Sequence, residues 1–290
     1  LIRLEAYNNN LETLNVKNCS SLQYLEANNN QINGMDLTGC TSLAMADLSQ
    51  NAIPELDATM CSELEDLRVY SNAIENLTVA GLPKLAILHF HNNMVKHIDL
   101  SGLPLIESID ANNNRLEDLD LSEITNLYEL RLFGNRLPLS VLYAASQIVS
   151  IPVNCQMGDQ TLLPKDVKVN DEIDLTSEAV LGGSPTTFTV LKGENAAASS
   201  DYEINNGKLV FKTIGEYDVK MTNPAIQSFE ERPAVVTAHY SVTGNTGIED
   251  LLNGVDEPAT WYDLQGRRVI NPDKGIFIKK TGNKTEKVIL

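Results

Sequence analysis

Long apolar runs are missing from this sequence. No stretch approaches the ~20 residues that a membrane-crossing helix needs, which excludes a helical span. Cysteine is scarce, four in 290 residues, and no Cys-x-x-Cys pair occurs, so zinc-site spacing is absent. Positive charge is short as well. Lys and Arg number 22 against 39 Asp and Glu, for a formal net charge of −17. The deficit lies before Gly247, since the tail from there is neutral. An acidic surface argues against nucleic acid and against an anionic membrane as the main partner. Catalytic signatures are also lacking: no G-x-S-x-G, no phosphate loop, no H-E-x-x-H. His97 and His239 stand alone in the sequence. The reading is a non-enzyme without a cofactor.

What is present is a period. Leu1, Leu22, Leu43, Leu64, Leu85, Ile106 and Leu127 recur every 21 residues without a gap. Asn9, Asn30, Asn51, Asn72, Asn93, Asn114 and Asn135 keep the same register. One unit cannot bury its own apolar face, but stacked units can, each Leu packing on the Leu of the next turn. The triplets Leu4/Ala6, Leu25/Ala27, Leu67/Val69 and Leu88/Phe90 alternate as short strands with these side chains inward. The Asn that follows can satisfy turn backbone groups that would otherwise be buried unpaired. A second triplet, as in Leu14/Val16, Leu77/Val79 and Ile98/Leu100, predicts a short strand or extended turn on the opposite face.

The L-x-x-L-x-L-x-x-N pattern resembles the leucine-rich repeat family over residues 1 to about 137, and its short unit is similar to the nested bacterial class and, more loosely, to internalins. The resemblance implies a parallel solenoid with a concave binding face. Leu1 enters in mid-pattern without the polar cap that terminal repeats need, so the sequence reads as a fragment whose N-terminus and signal peptide lie upstream. Cys19, Cys40 and Cys61 share a repeat position with Leu82, Leu103 and Ile124, which reads as core thiols; a disulfide between adjacent coils is the alternative.

Beyond Pro138 the register breaks, and PLSVLYAASQI reads as a cap with a short helix. From about Leu163 the apolar period becomes two: Ile173/Leu175, Phe188/Val190, Leu209/Phe211, Tyr217/Val219/Met221 and Val236/Ala238/Tyr240/Val242. With Asn206-Gly207 as a hairpin signal, these short strands predict a β-sandwich. Gly215-Glu216-Tyr217-Asp218-Val219 resembles the penultimate-strand motif of bacterial immunoglobulin-like domains, where a Tyr anchors a corner. Thr246 to Asp256 reads as a linker. Trp261-Tyr262-Asp263-Leu264-Gln265-Gly266-Arg267-Arg268-Val269 with Lys274-Gly275-Ile276-Phe277-Ile278-Lys279 resembles the C-terminal sorting or secretion domain of Gram-negative surface proteins. The expected fold is mainly β: a solenoid with its cap over 1–154, an immunoglobulin-like β-sandwich over 155–245, and a linker plus small β module over 246–290.

Outward positions form columns across the coils. Glu5, Glu26 and Asp47 make an acidic row in coils 1 to 3. Coils 4 to 7 mix Arg68, Tyr70, His89, His91, Arg131 and Phe133, and aromatics beside Arg are typical interface anchors. These six are the candidate ligand-binding residues. His89-Phe90-His91 with Asp110 could hold zinc, but exposed strand histidines are more often plain surface, and no metal is assigned. The leading expectation is a non-catalytic protein, secreted or on the outer surface of a Gram-negative bacterium, that binds another protein in adhesion or host interaction. A glycan-binding accessory module and a structural stalk are the alternatives.

Overall fold

In the computed structural model, residues 1–125, 127–229, 233–244, 260–264, 267–270, 272, 276–281 and 284–289 are described. The expected linker and the turn at Gln265-Gly266 lie outside them.

Residues 1 to 137 wind into a β-solenoid of six full 21-residue coils and the first part of a seventh. Each coil contributes three residues to one parallel sheet: Arg3–Glu5, Tyr24–Glu26, Met45–Asp47, Asp66–Arg68, Ile87–His89, Ser108–Asp110 and Glu129–Arg131. Registers are uniform, so Leu67 pairs with Leu88 and Leu88 with Ile109. Leu25, Leu67, Leu88 and Leu130 are fully buried. Leu4 is only half-buried, because the Arg3–Glu5 strand pairs on one side alone. On the opposite face the second triplet forms a strand pair between coils 3 and 4, Glu55–Asp57 with Asn76–Thr78. Its other copies run as extended turns held by Asp-x-Ser/Thr bonds, such as Ser101 N to Asp99 Oδ1 at 2.9 Å.

The Asn column is a ladder of saturated amides. Asn93 Nδ2 donates to Phe90 O (2.8 Å) and to Val69 O of the previous coil (3.0 Å), while its Oδ1 accepts from Ile74 N (2.9 Å). One residue earlier in each coil the backbone is left-handed, at Asn8, Asn29, Gln50, Ser71, Asn92, Asn113 and Gly134. Asn tolerates that conformation better than other side chains do, which with the ladder accounts for the Asn pairs at 8–9, 29–30, 92–93 and 113–114. At Gly134 a Cβ would lie 2.3 Å from Asn113 Oδ1, so a larger residue there would have to shift that side chain. All four cysteines are free thiols. Burial pushes the Cys61 thiol up to about 12, as it does Cys155, so both stay protonated packing groups.

The solenoid ends in an eighth, irregular turn. Helix Leu139–Ser146 covers the core with Leu139, Leu142 and Ala145. Strand Cys155–Gln156 then pairs in parallel with Leu130 and Arg131, extending the concave sheet past residue 154. Gln160 stands where an eighth ladder Asn would be: its Nε2 donates to Leu132 O (2.9 Å) and Met157 O (2.8 Å), and its Oε1 accepts from Leu137 N (3.2 Å).

The following region is two sheets. A six-stranded sheet runs Asp159–Thr161, Val235–Thr243, Gly215–Thr222, Thr187–Lys192, Asn195–Ala196, with Lys165–Lys168 also pairing on Val235–Thr243. A three-stranded sheet joins Glu172–Asp174, Lys208–Phe211 and Tyr202–Asn205. Phe211 of the smaller sheet stacks on Tyr217 of the larger, centroids 4.4 Å apart. The Tyr217 hydroxyl lies 2.6 Å from Thr213 Oγ1, four residues upstream. This region is locked to the solenoid. Glu178 is buried and accepts from Ser140 N (2.8 Å) and Oγ (2.7 Å) at the start of the capping helix. Phe229 N donates to Cys155 O at 2.7 Å along the last concave strand. Near the C-terminus, Arg268–Val269, Thr260–Tyr262, Ile276–Thr281 and Lys284–Ile289 form an antiparallel sheet. Among the described residues no helix is long and apolar enough to cross a membrane.

Candidate functional site

Strand alternation sends the first and third residues of each concave strand outward, and the parallel register stacks them ~5 Å apart. Both expected zones therefore exist as surfaces on one rigid sheet, and their chemistry differs.

In coils 1 and 2 the acidic row is neutralised from within. Arg3 bonds Glu5 (2.5 Å) and Glu26 (2.6 Å) and lies over the Tyr24 ring, 5.4 Å from its centroid. Asp47 accepts from Ser49 N (3.0 Å) and Oγ (2.6 Å). The repulsion expected along Glu5, Glu26 and Asp47 is thereby relieved.

Coils 4 to 7 carry a denser network. Arg68 is bidentate to Asp66 on its own strand, at 3.0 and 2.9 Å. Tyr70 and His91, on adjacent coils, stack in parallel, with centroids 4.5 Å apart and planes 5° apart. Ser108 Oγ gives its only proton to Glu129 Oε2 (2.7 Å), so it accepts from His89 Nε2 (3.0 Å), which fixes the Nε2–H tautomer of His89. Arg131 reaches Glu129 Oε1 (2.5 Å) and Asp110 Oδ2 (3.2 Å). His91 Nδ1 lies 3.3 Å from the same Asp110 oxygen but is not aligned to bond it. Burial pushes both imidazoles below the ordinary histidine value, Asp110 opposing it in each case and Glu129 in that of His89. Both are neutral near pH 7. Phe133 packs against the next turn, where a Cβ on Gly158 would meet Phe133 Cβ at 2.3 Å.

All six sequence-derived residues thus lie on one face. Each of the two guanidiniums, however, is already paired with carboxylates of the same face. Asp66, Asp110 and Glu129 were not among the candidates, although Asp-x-Arg and Glu-x-Arg on a strand put both charges on one side. Asn112, between His91 and Phe133 in the same outward column, was also missed. It is 6% exposed, and its Oδ1 makes no hydrogen bond among the described residues. His97 and His239 are not isolated: His97 faces Asp118 at 3.1 Å, and His239 bonds Asp218. Among the described residues no group of three or more His, Cys, Asp or Glu side chains could hold a metal ion.

The coil length, the parallel register and the Asn ladder define a leucine-rich-repeat-type solenoid, a fold class built around an extended concave surface. Among solved structures the chain is similar to InlP of Listeria monocytogenes, at 17% identity and a TM-score of 0.52, covering 84% of this chain and 66% of that one. It thus spans slightly under two thirds of InlP. A second similar structure is the internalin-like protein lmo2027 of the same organism, at 13% identity and a TM-score of 0.44, covering 77% and 73%. The first likeness supports the fold alone. No family model matches the sequence, and no curated protein matches it.

Proposed function

We propose that this chain is a non-catalytic recognition protein of the bacterial surface. It binds a protein partner, in adhesion or host contact, through the concave face of coils 4 to 7, with Arg68, Tyr70, His89, His91, Arg131 and Phe133 as the binding residues. The observation that carries the reading is the Tyr70–His91 stack, set rigidly on the sheet within a hydrogen-bonded network. Stacked rings remove large apolar areas from water and lose few rotamers on binding. In this reading residues 1–154 recognise, residues 155–245 form an immunoglobulin-like brace, and residues 246–290 form a sorting-type module. Two observations favour the brace: Tyr217 anchors a corner through Thr213, and Glu178 clamps the capping helix. Secretion or surface display is part of this reading because the tail motif resembles sorting domains, and the Gram-negative assignment rests on that motif alone. The test is a binding screen of the intact chain against host-surface and extracellular-matrix proteins, beside a glycan array. A protein hit that Tyr70→Ala with Phe133→Ala abolishes supports the reading. Glycan hits alone overturn it.

A further inference from the structure

The patch of coils 4 to 7 satisfies its own charges. Arg68 is paired with Asp66, and Arg131 is shared between Glu129 and Asp110. Asp110 and Glu129 keep only 5% and 17% of their side chains exposed, so a partner's cation would have to displace Arg131 to reach them. A partner's anion would find each guanidinium already paired with a carboxylate, with only a buried N–H such as Arg131 Nε left over, and would face those same carboxylates. Both imidazoles are neutral near pH 7 because burial holds them so. Apart from that N–H, what the patch leaves unused is uncharged: the faces of the stacked Tyr70 and His91 rings, His91 Nδ1 and Asn112 Oδ1.

Asn112 is the telling residue. The ladder amides two residues further along are saturated on both atoms, as at Asn114, where Nδ2 donates to Phe90 O (3.1 Å) and Oδ1 accepts from Val95 N (3.1 Å). Asn112 is as deeply buried, yet its Oδ1 has no partner. Two more buried polar atoms without a hydrogen bond lie on the neighbouring coils, His91 Nδ1 and Arg131 Nε. Together they offer an acceptor beside donors, and a half-turn of the amide exchanges its Oδ1 and Nδ2. Leaving such groups unpaired costs stability, and a ligand carrying both a donor and an acceptor relieves that cost. His91 and Arg131 keep 25% and 36% of their side chains exposed, so a partner meets the patch at their edges.

We infer that this patch recognises an uncharged carboxamide of its protein partner: an Asn or Gln side chain lying between the Tyr70–His91 stack and Phe133 and paired with the Asn112 amide. A carboxamide matches Asn112 with two parallel N–H···O bonds and adds no charge to the balanced network. The inference rests on the proposed protein-binding role of the same face.

The experiment uses the intact, nitrogen-15-labelled chain and three capped tripeptides, acetyl-Leu-Gln-Leu-amide and its Glu and Lys counterparts, with N,N′-diacetylchitobiose as a sugar arm. The expected result is a saturable shift of the Asn112 side-chain amide and of backbone 110–112 with the Gln peptide. Its affinity should exceed that of the Glu and Lys peptides by about five-fold, the scale of one neutral hydrogen bond. Raising the salt should leave the shift unchanged. Asn112→Ala should erase the preference while the rest of the spectrum stays native, and Asn112→Asp should move it toward Lys. Equal affinity for all three peptides, with shifts near Tyr70 and Phe133, overturns the carboxamide inference but leaves the protein-binding role. Shifts on the concave face from the sugar alone, or from none of the probes, overturn both.

Discussion

Coils 1 to 3 and coils 4 to 7 share one backbone but not one surface. Strand length, register and ladder are the same in both halves. In the first half a single Arg3 ties down the carboxylates of coils 1 and 2, and the exposed rings, Tyr7 and Tyr24, lie at the edge of the sheet. In the second half ion pairs, stacked rings and two neutral imidazoles interlock across four adjacent coils. The repeat determines where side chains go, and the outward columns determine what they can bind. A period in the sequence is therefore strong evidence of fold and weak evidence of ligand.

The inward columns should be nearly indifferent to which half they serve, and breaking one should have the largest effect. Leu88→Asp puts an unpaired charge into the core and should cost on the order of 4 kcal/mol or more, unfolding much of the solenoid in a urea melt. Leu4→Asp, at the half-buried edge, should cost clearly less. Equal midpoint shifts for the two would show that the coils do not unfold as one packed column. The ladder comes next. Asn93→Ala strands the Ile74 N–H and two carbonyls, so it should cost about 1–3 kcal/mol. Asn9→Ala, where the amide is exposed and bonds only its own turn, should cost less by the same melt.

The histidines sharpen the contrast by pH. Burial lowers both His89 and His91 in the folded chain, so the unfolded chain takes up protons first as pH falls. Their stabilising share is complete above the ordinary value of 6.5 and is lost as pH drops from there toward the lowered native values. Compared with wild type, the His89→Gln, His91→Gln variant should lose less stability between pH 7 and 5. Parallel pH curves would remove the claim that these rings are held neutral. The smallest effect belongs to the acidic row: Glu26→Gln should leave the melting point close to wild type, because exposed ion pairs contribute little.

Much of the solenoid was legible because period-21 columns encode burial directly, down to the second triplet, where Val16, Leu37, Val79 and Leu100 are buried. The eighth turn was not. Gln160 lies 25 residues past Asn135 instead of 21, its side chain is one methylene longer, and helix Leu139–Ser146 fills the interval. The Glu178 clamp joins residues 38 apart, and no local pattern signals such a contact. On the candidate face, composition singled out the rings and the arginines. Their mutual pairing was readable in part: Asp66 with Arg68 and Glu129 with Arg131 follow from strand alternation, whereas the Arg131–Asp110 contact needs the register between coils. The unpartnered amide of Asn112 was invisible, since Asn28 shares its column and looks alike in sequence.

The central claim is that only the second half of the sheet is built to bind. The most direct test takes the first protein partner found for the intact chain and compares dissociation rates for two variants. Tyr70→Ala with Phe133→Ala should speed dissociation by roughly ten-fold or more per true anchor, about 1–3 kcal/mol each. Glu5→Gln with Glu26→Gln and Asp47→Asn should leave dissociation unchanged and alter only the association rate and its salt dependence. The reverse pattern, slow release kept without the rings and lost without the acidic row, would contradict the account.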